Sequence, residues 1–145
     1  MNVLGFDYGS KLIGVALGNR ITGTARPLGV ATNGERGPDF VRIGEWIAQW
    51  SPDALVVGLP LTQDGAEQPA SKAARAFARL LEQRFGLPLH LADERMSSVE
   101  ASRRFAARRA EGTAKKKHAA TIDAVAAEVI LENWLVGNGA TARHS

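Results

Sequence analysis

An uninterrupted apolar run in the middle of the chain, Ala54–Leu59, is the feature that most restricts the fold. A strand with one solvated face alternates apolar and polar residues, whereas a strand buried on both faces is apolar throughout. The run therefore predicts a central strand of parallel type, inside a sheet whose two faces are both covered by helices.

Three extended segments precede this central strand. The first starts at Val3 and ends at Asp7, the second spans Leu12–Leu17, and the third spans Thr24–Thr32 with a break at Pro27. Because short connections join the three segments, an antiparallel meander is expected.

A loop and a helix are predicted between the meander and the central strand. The loop covers Asn33–Gly37, and Pro38 is expected to open the helix. Pro52 follows the end of this helix. Its apolar residues recur at helical spacing and are Phe40, Ile43, Trp46, Ile47 and Trp50.

The second half of the chain alternates helix and strand. Pro69 opens an amphipathic helix that Gly86 closes, and Leu87–Ala92 is the next strand. A capping-box pattern then predicts a helix from Ser98, and a last helix is predicted from Ala119 to Leu135. These elements predict an α/β fold with a mixed five-stranded sheet, three N-terminal antiparallel strands, and helices on both faces.

Length and composition exclude several classes of protein. The 145 residues are expected to form one domain over residues 1–137, followed by a disordered tail over residues 138–145. Cysteine is absent, so any metal must be held by oxygen or imidazole. No apolar run approaches the ~18 residues of a membrane span. The first residues lead directly into a strand without a signal-like segment, so a cytoplasmic protein is expected.

Positive charge is concentrated in one segment. From Arg95 to His118 the chain has eight lysines and arginines against two acids, and the rest of the chain is net negative. Clustered cations favour a polyanionic partner because they displace the counterions condensed on phosphates. A solvated helix face has a similar composition, but this segment passes beside the acids described next, which favours a nucleic-acid partner.

Three carboxylates are predicted to converge at one edge of the sheet. Asp7 and Glu94 end the first and last strands, and ligands collect at the carboxyl ends of parallel strands. Asp123 lies in the last helix on one face with Ala119, Ala120, Ala126, Ala127 and Ile130, and the alanines would let that helix approach the sheet closely. The alternatives are a turn aspartate at Asp7, an ion pair of Glu94 with Arg95, and a helix-dipole acid at Asp123. Asp93 is expected to face the other way, and Glu128 and Glu132, on other faces of the last helix, are expected to be solvated charges.

Converging carboxylates are typical of divalent-metal sites, and their oxygen ligands favour Mg²⁺ or Mn²⁺. Such ions promote phosphodiester hydrolysis by activating a water and stabilising the leaving oxygen. A metal-dependent phosphodiesterase is therefore predicted, with Asp7, Glu94 and Asp123 as metal ligands and catalytic acids. The residues expected to bind nucleic-acid phosphates are Lys11, Arg95, Arg104, Lys115, Lys116 and Lys117.

Four groups of motifs resemble those of the YqgF/RuvX family of bacterial RNase H-like proteins, and the similarity extends from about Val3 to Leu135. They are Phe6-Asp7-Tyr8-Gly9 with Ile13-Gly14-Val15-Ala16; Val57-Gly58-Leu59-Pro60 with Asp64-Gly65; Asp93-Glu94-Arg95-Met96-Ser97-Ser98-Val99-Glu100-Ala101; and Ile122-Asp123-Ala124-Val125-Ala126-Ala127 with Ile130-Leu131-Glu132.

The resemblance implies an RNase H-like fold with Asp7, Glu94 and Asp123 in the acidic positions of the family. It also implies an endo- or exonuclease that matures the 5′ end of precursor 16S ribosomal RNA and has ribosomal precursor particles as a partner. A Holliday junction resolvase that acts on branched DNA is the alternative implied by the same family. Structured RNA and branched DNA both stay open as substrates, because phosphate contacts do not distinguish the sugars.

Two other functions fit parts of the sequence. An ATP-binding module of the actin and Hsp70 type shares the strand, Asp-x-Gly turn and second strand, but such proteins bind nucleotide between two domains. A phosphate-binding loop of the G-x-x-x-x-G-K-[ST] type is also absent. A non-catalytic nucleic-acid binder, in which the acids only stabilise the fold, is the second alternative.

Overall fold

The computed structural model describes residues 1–94, 103, 106–107 and 122–139. Apart from the helical residues 103, 106 and 107, this part of the chain contains six strands, three α-helices and one π-helical turn. They are β1 (Asn2–Tyr8), β2 (Leu12–Asn19), β3 (Thr24–Gly34), β4 (Gly37–Pro38), α1 (Phe40–Trp50), β5 (Ala54–Leu59), α2 (Pro69–Phe85), β6 (Leu89–Asp93), α3 (Ile122–Trp134) and the turn Leu135–Gly139.

The described strands form one mixed sheet in the order β4-β3-β2-β1-β5-β6. β5 pairs in parallel with β1 on one side and with β6 on the other, whereas β1, β2 and β3 are antiparallel neighbours. All six residues of β5 are buried, as its continuous apolar sequence requires. The predicted mixed α/β sheet with an antiparallel N-terminal part is therefore confirmed.

The strand count and two boundaries in the first half differ from the prediction. β3 continues through Pro27 to Gly34, and a register shift opposite Val15 and Ala16 accommodates the proline, which has no amide hydrogen to donate. Gly37–Pro38 then pairs with the end of β3 as a sixth strand, so Pro38 does not open a helix. α1 starts after Asp39, whose side chain accepts a hydrogen bond from the Arg42 amide at 3.0 Å.

The two faces of the sheet bury different helices. On one face, α1 and α2 cover a cluster that includes Leu4, Phe6 and Val57, and the rings of Phe6 and Phe77 meet edge to face at 5.8 Å. On the other face, α3 packs on small residues. A Cβ atom added to Gly5 or Gly18 would lie 2.9 or 2.8 Å from Leu131 side-chain atoms, so these glycines let α3 approach the sheet.

α3 is buried on almost every side. Ala127, Ile130 and Leu131 face the sheet, whereas Ala126, which the sequence places on the same stripe, belongs to a separate buried cluster. Glu128 is 5% exposed, so its interpretation as a solvated charge is wrong. Apolar residues occur on every side of α3, which indicates burial of the helix, and its three acids do not remove that pattern.

The remaining predicted elements have mixed outcomes. α2 begins at Pro69 and is capped by Gly86 at φ 66°, as predicted. β6 begins at Leu89 rather than at Leu87. Of the helix predicted from Ser98, the structure describes residues 103, 106 and 107, which are helical and exposed. The rest of that helix, the lysine-rich loop and residues 140–145 of the predicted tail lie outside the described residues. None of the described helices combines the length and apolarity that crossing a membrane requires.

Candidate active site

Asp7 lies at the carboxyl end of β1 on the face covered by α3. Its side chain is partly buried, and its neighbour across the antiparallel ladder is Gly14 of β2. On the parallel side, Phe6 pairs with Val57, so β5 continues past Asp7 with Gly58. The acid therefore lies between two glycines on the neighbouring strands, and each glycine makes room for one of the other acids.

Gly14 brings Asp123 to this edge. A Cβ atom at Gly14 would overlap the Asp123 carbonyl group and would lie 2.9 Å from the Ala124 nitrogen. The first turn of α3 thus rests on the backbone of β2, one strand away from Asp7. The two carboxylates are close enough that the charge of Asp123 raises the pKa of Asp7.

Gly58 makes the corresponding space for Glu94. The Glu94 amide donates to the Leu59 carbonyl at 3.2 Å, so the chain leaves β6 still attached to β5. A Cβ atom at Gly58 would overlap Glu94 Oε2 and would lie 2.6 Å from Ile130. The Glu94 side chain therefore folds over β5 towards β1, where its carboxyl group is hydrogen-bonded to that of Asp7. Asp93 is exposed on its strand.

Burial and mutual repulsion change the protonation of this pair. The pKa of Asp7 rises from 3.8 to about 6, mainly because of desolvation and then because of the charge of Asp123. The hydrogen bond from Glu94 lowers this pKa, but by less than the other two effects raise it. The pKa of Glu94 rises from 4.5 to about 8. Desolvation is the largest cause, followed by the charge and the hydrogen bond of Asp7 and then by the charge of Asp93. Glu94 is thus the protonated member near neutral pH, and it donates to Asp7.

The donor set suits a hard divalent cation. Carboxylate oxygens are the preferred ligands of Mg²⁺ and Mn²⁺, and a cation would remove the repulsion that raises both pKa values. In the described part of the chain, no three acidic or histidine side chains are already grouped as metal ligands. Because burial and mutual repulsion raise the pKa values of Asp7 and Glu94, a bound cation would have to displace a proton from this pair.

The turn after Asp7 is held by a residue that sequence reasoning assigned to a loop. Asn33 is buried in β3, and its side-chain amide donates to the Gly9 carbonyl at 2.7 Å. The Asn33 backbone amide donates to the Lys11 carbonyl at 2.8 Å. A Cβ atom at Gly9 would collide with the Leu12 carbonyl, so this turn is both tight and fastened to β3. In the sequence, Asn33 precedes Gly34, and that pair predicts only a turn.

The predicted phosphate-binding residues are described only in part. Lys11 is exposed in the turn between β1 and β2, at the same end of the sheet as Asp7. The other five, Arg95, Arg104, Lys115, Lys116 and Lys117, lie outside the described residues.

Similarity to known proteins extends over nearly the whole chain. A family model described as RuvX, Holliday junction resolvase, matches residues 1–137. A protein of Xanthomonas axonopodis pv. citri named "Putative pre-16S rRNA nuclease" is 52% identical over 133 residues, covering 92% of this chain and 86% of its own. A protein of the same name from Xanthomonas oryzae pv. oryzae is 50% identical over the same coverage.

Solved structures show the fold. Thermus thermophilus RuvC in complex with a Holliday junction aligns with a TM-score of 0.55 at 20% identity, covering 100% of this chain and 96% of that one. The fowlpox virus Holliday junction resolvase aligns with a TM-score of 0.56 at 13% identity, covering 94% and 99%. The fold is therefore that of the RNase H-like resolvases, as the sequence predicts. On the family model and the relatives near 50% identity, the chain belongs to the RuvX family of nucleases.

Proposed function

We propose that this protein is a metal-dependent nuclease that hydrolyses phosphodiester bonds during maturation of the 5′ end of precursor 16S ribosomal RNA. The observation that carries the proposal is the convergence of Asp7, Glu94 and the first turn of α3 at one edge of the sheet. A structural role alone gives no reason to bury two carboxyl groups side by side, because burying acids is costly unless a partner or a cation compensates them.

The chain's own residues would act in three ways. Asp7, at the centre of the group, would hold the divalent ions, with Glu94 and Asp123 completing the ligand set. When bound, these ions supply an activated water and compensate the charge that develops on the leaving oxygen. Lys11, together with Arg95, Arg104 and the Lys115–Lys117 segment, would bind flanking phosphates and keep the backbone in place.

The choice of RNA as substrate rests on the relatives, which are named as pre-16S rRNA nucleases and are 50–52% identical to this chain. The second candidate is a Holliday junction resolvase, which the description of the family model favours. In either case we expect the protein to act in the cytoplasm on a nucleic-acid partner. Ribosomal precursor particles are the partner under the first candidate.

One panel of substrates tests the proposal. Precursor 16S RNA, single-stranded RNA and a four-way DNA junction are incubated with Mg²⁺, with Mn²⁺ or with EDTA. Wild type is compared with Asp7→Asn and with Glu82→Gln, which replaces an exposed acid of α2 away from the site. We expect cleavage of the precursor RNA by wild type and Glu82→Gln in the presence of metal. Cleavage by Asp7→Asn at the wild-type rate, or no cleavage by wild type, would refute the proposal.

A further inference from the structure

A cavity lies on the other face of the sheet, directly behind the candidate active site. It has a volume of about 420 Å³ and is lined by Tyr8, Ser10, Asn33, Glu35, Pro38 and Ala73, among others. It is open to solvent and bounded by the turn after β1, the β3–β4 hairpin and the first turns of α2. Nothing in the metal-dependent chemistry proposed above uses this cavity.

The cavity is linked to the active site through one peptide bond. Asp7 and Tyr8 are consecutive residues of β1, so their side chains point to opposite faces of the sheet while their Cα atoms are about 3.8 Å apart. The Tyr8 ring is partly buried against Phe77, with the ring centroids 4.8 Å apart. A strand of nucleic acid whose phosphate lies at Asp7 would cross the end of β1 beside this ring.

The lining of the cavity suits a nucleobase rather than a phosphate. Among the described residues that line it, Glu35 is the one charged side chain, and a carboxylate repels phosphate. Tyr8 and Pro38 offer apolar walls, whereas Ser10 and Glu35 offer hydrogen-bonding groups at the rim. A flat heteroaromatic ring with polar edges fits this combination, because bases stack on aromatic side chains irrespective of their sequence.

We infer that the cavity beside Tyr8 binds one base of the nucleic-acid strand, next to the phosphodiester held at Asp7. This inference rests on the proposed nuclease function, because that function places the phosphate at Asp7. Tyr8 supplies the stacking surface. Asn33 forms part of the wall and also fastens the turn through the Gly9 carbonyl, so the base site and the acid site are built on the same turn.

The test measures binding of a six-nucleotide single-stranded RNA by fluorescence anisotropy, with Ca²⁺ in place of Mg²⁺ as the oxygen-liganded cation. One abasic ribose is moved through the six positions. Stacking of one base corresponds to about 5- to 100-fold in affinity. For wild type, we expect removal of the base at one position to reduce affinity by that factor. Tyr8→Phe should show the same loss of affinity, and Tyr8→Ala should not show it. An equal loss in wild type and Tyr8→Ala, or no sensitive position in wild type, would overturn the inference.

A second pair of variants avoids any loss of the Tyr8–Phe77 contact. Ala73 and Ala76 are both exposed on α2, but only Ala73 lines the cavity. Ala73→Leu should weaken binding of the intact hexamer and reduce the abasic effect, whereas Ala76→Leu should change neither. Identical behaviour of the two variants would contradict the inference.

The two proposals fail in different ways. A position-dependent abasic effect in a protein that cuts no substrate would retain the base site and reject the nuclease. Metal-dependent cleavage without any abasic effect would retain the nuclease and reject the base site.

Discussion

Replacing Asp7 by asparagine should stabilise the metal-free protein, and the gain should depend on pH. Burial and the Asp123 charge raise the pKa of Asp7 from 3.8 to about 6. An acid whose pKa is higher in the folded chain binds more protons when folded, so ionisation favours unfolding. Stability is thus lost as the pH rises from about 4, where the unfolded chain ionises, to about 6, where the folded chain does.

The size of the effect follows from the pKa shift. A shift of about two pKa units corresponds to ~3 kcal/mol, at ~1.4 kcal/mol for each unit. Because Asp7 is partly exposed and shares its proton with Glu94, we expect a measured gain of about 1–2 kcal/mol for Asp7→Asn. Asparagine keeps an oxygen that can accept the Glu94 hydrogen bond, so the variant removes the charge without removing the contact.

Urea unfolding followed by tryptophan fluorescence, in EDTA and at several pH values from about 4.5 to about 8, measures this difference. Glu82→Gln, at an exposed position of α2, is the control and should show no pH-dependent gain. Adding Mn²⁺ should reverse the order, because a cation that binds only the folded wild type stabilises it. Equal stability of wild type and Asp7→Asn at about pH 8, or a difference that is constant across the pH range, would refute the reasoning.

Three further predictions concern the same site. Gly14→Ala should destabilise the protein by about 1–3 kcal/mol in urea unfolding and reduce nuclease activity, because the new Cβ meets the backbone of α3. Gly34→Ala, where the space is open, is the control and should leave stability close to that of wild type. Equal destabilisation by the two substitutions would contradict the explanation. Asn33→Ala should cost about 1–2 kcal/mol through the lost bond to Gly9, measured in the same assay, and a stability equal to wild type would refute that role. Mn²⁺ affinity measured by calorimetry should increase from about pH 6 to about pH 8, because Glu94 must lose its proton, and a pH-independent affinity would argue against Glu94 as a ligand.

Regular elements with a strong local signal were predictable. The continuous apolar run of β5 and the proline and glycine that bound α2 act over a few residues, so their structural consequence is contained in the sequence itself. The β3–β4 hairpin was not predictable in the same way. Its second strand is two residues long and depends on pairing with β3, and the loop composition of Asn33–Gly37 conceals that pairing.

Glu128 shows how tertiary packing overrides a local pattern. A glutamate in a helix is usually solvated, yet α3 lies so close to the glycine-lined face of the sheet, and is covered so fully, that this residue is almost inaccessible. The exposure of a side chain depends on what packs against its helix. The apolar residues around α3 indicate that the helix is buried, but its sequence does not indicate what covers Glu128.

The sequence by itself determined which acids could form a site, since Asp7 and Glu94 end predicted strands and Asp123 lies in the last predicted helix. Only the tertiary structure decided how they meet. Gly14 and Gly58, on the two strands beside Asp7, admit the backbone of Asp123 and the side chain of Glu94. Desolvation and Coulomb repulsion depend on distances between residues that are far apart in the chain, so the raised pKa values of Asp7 and Glu94 are a property of the folded molecule alone.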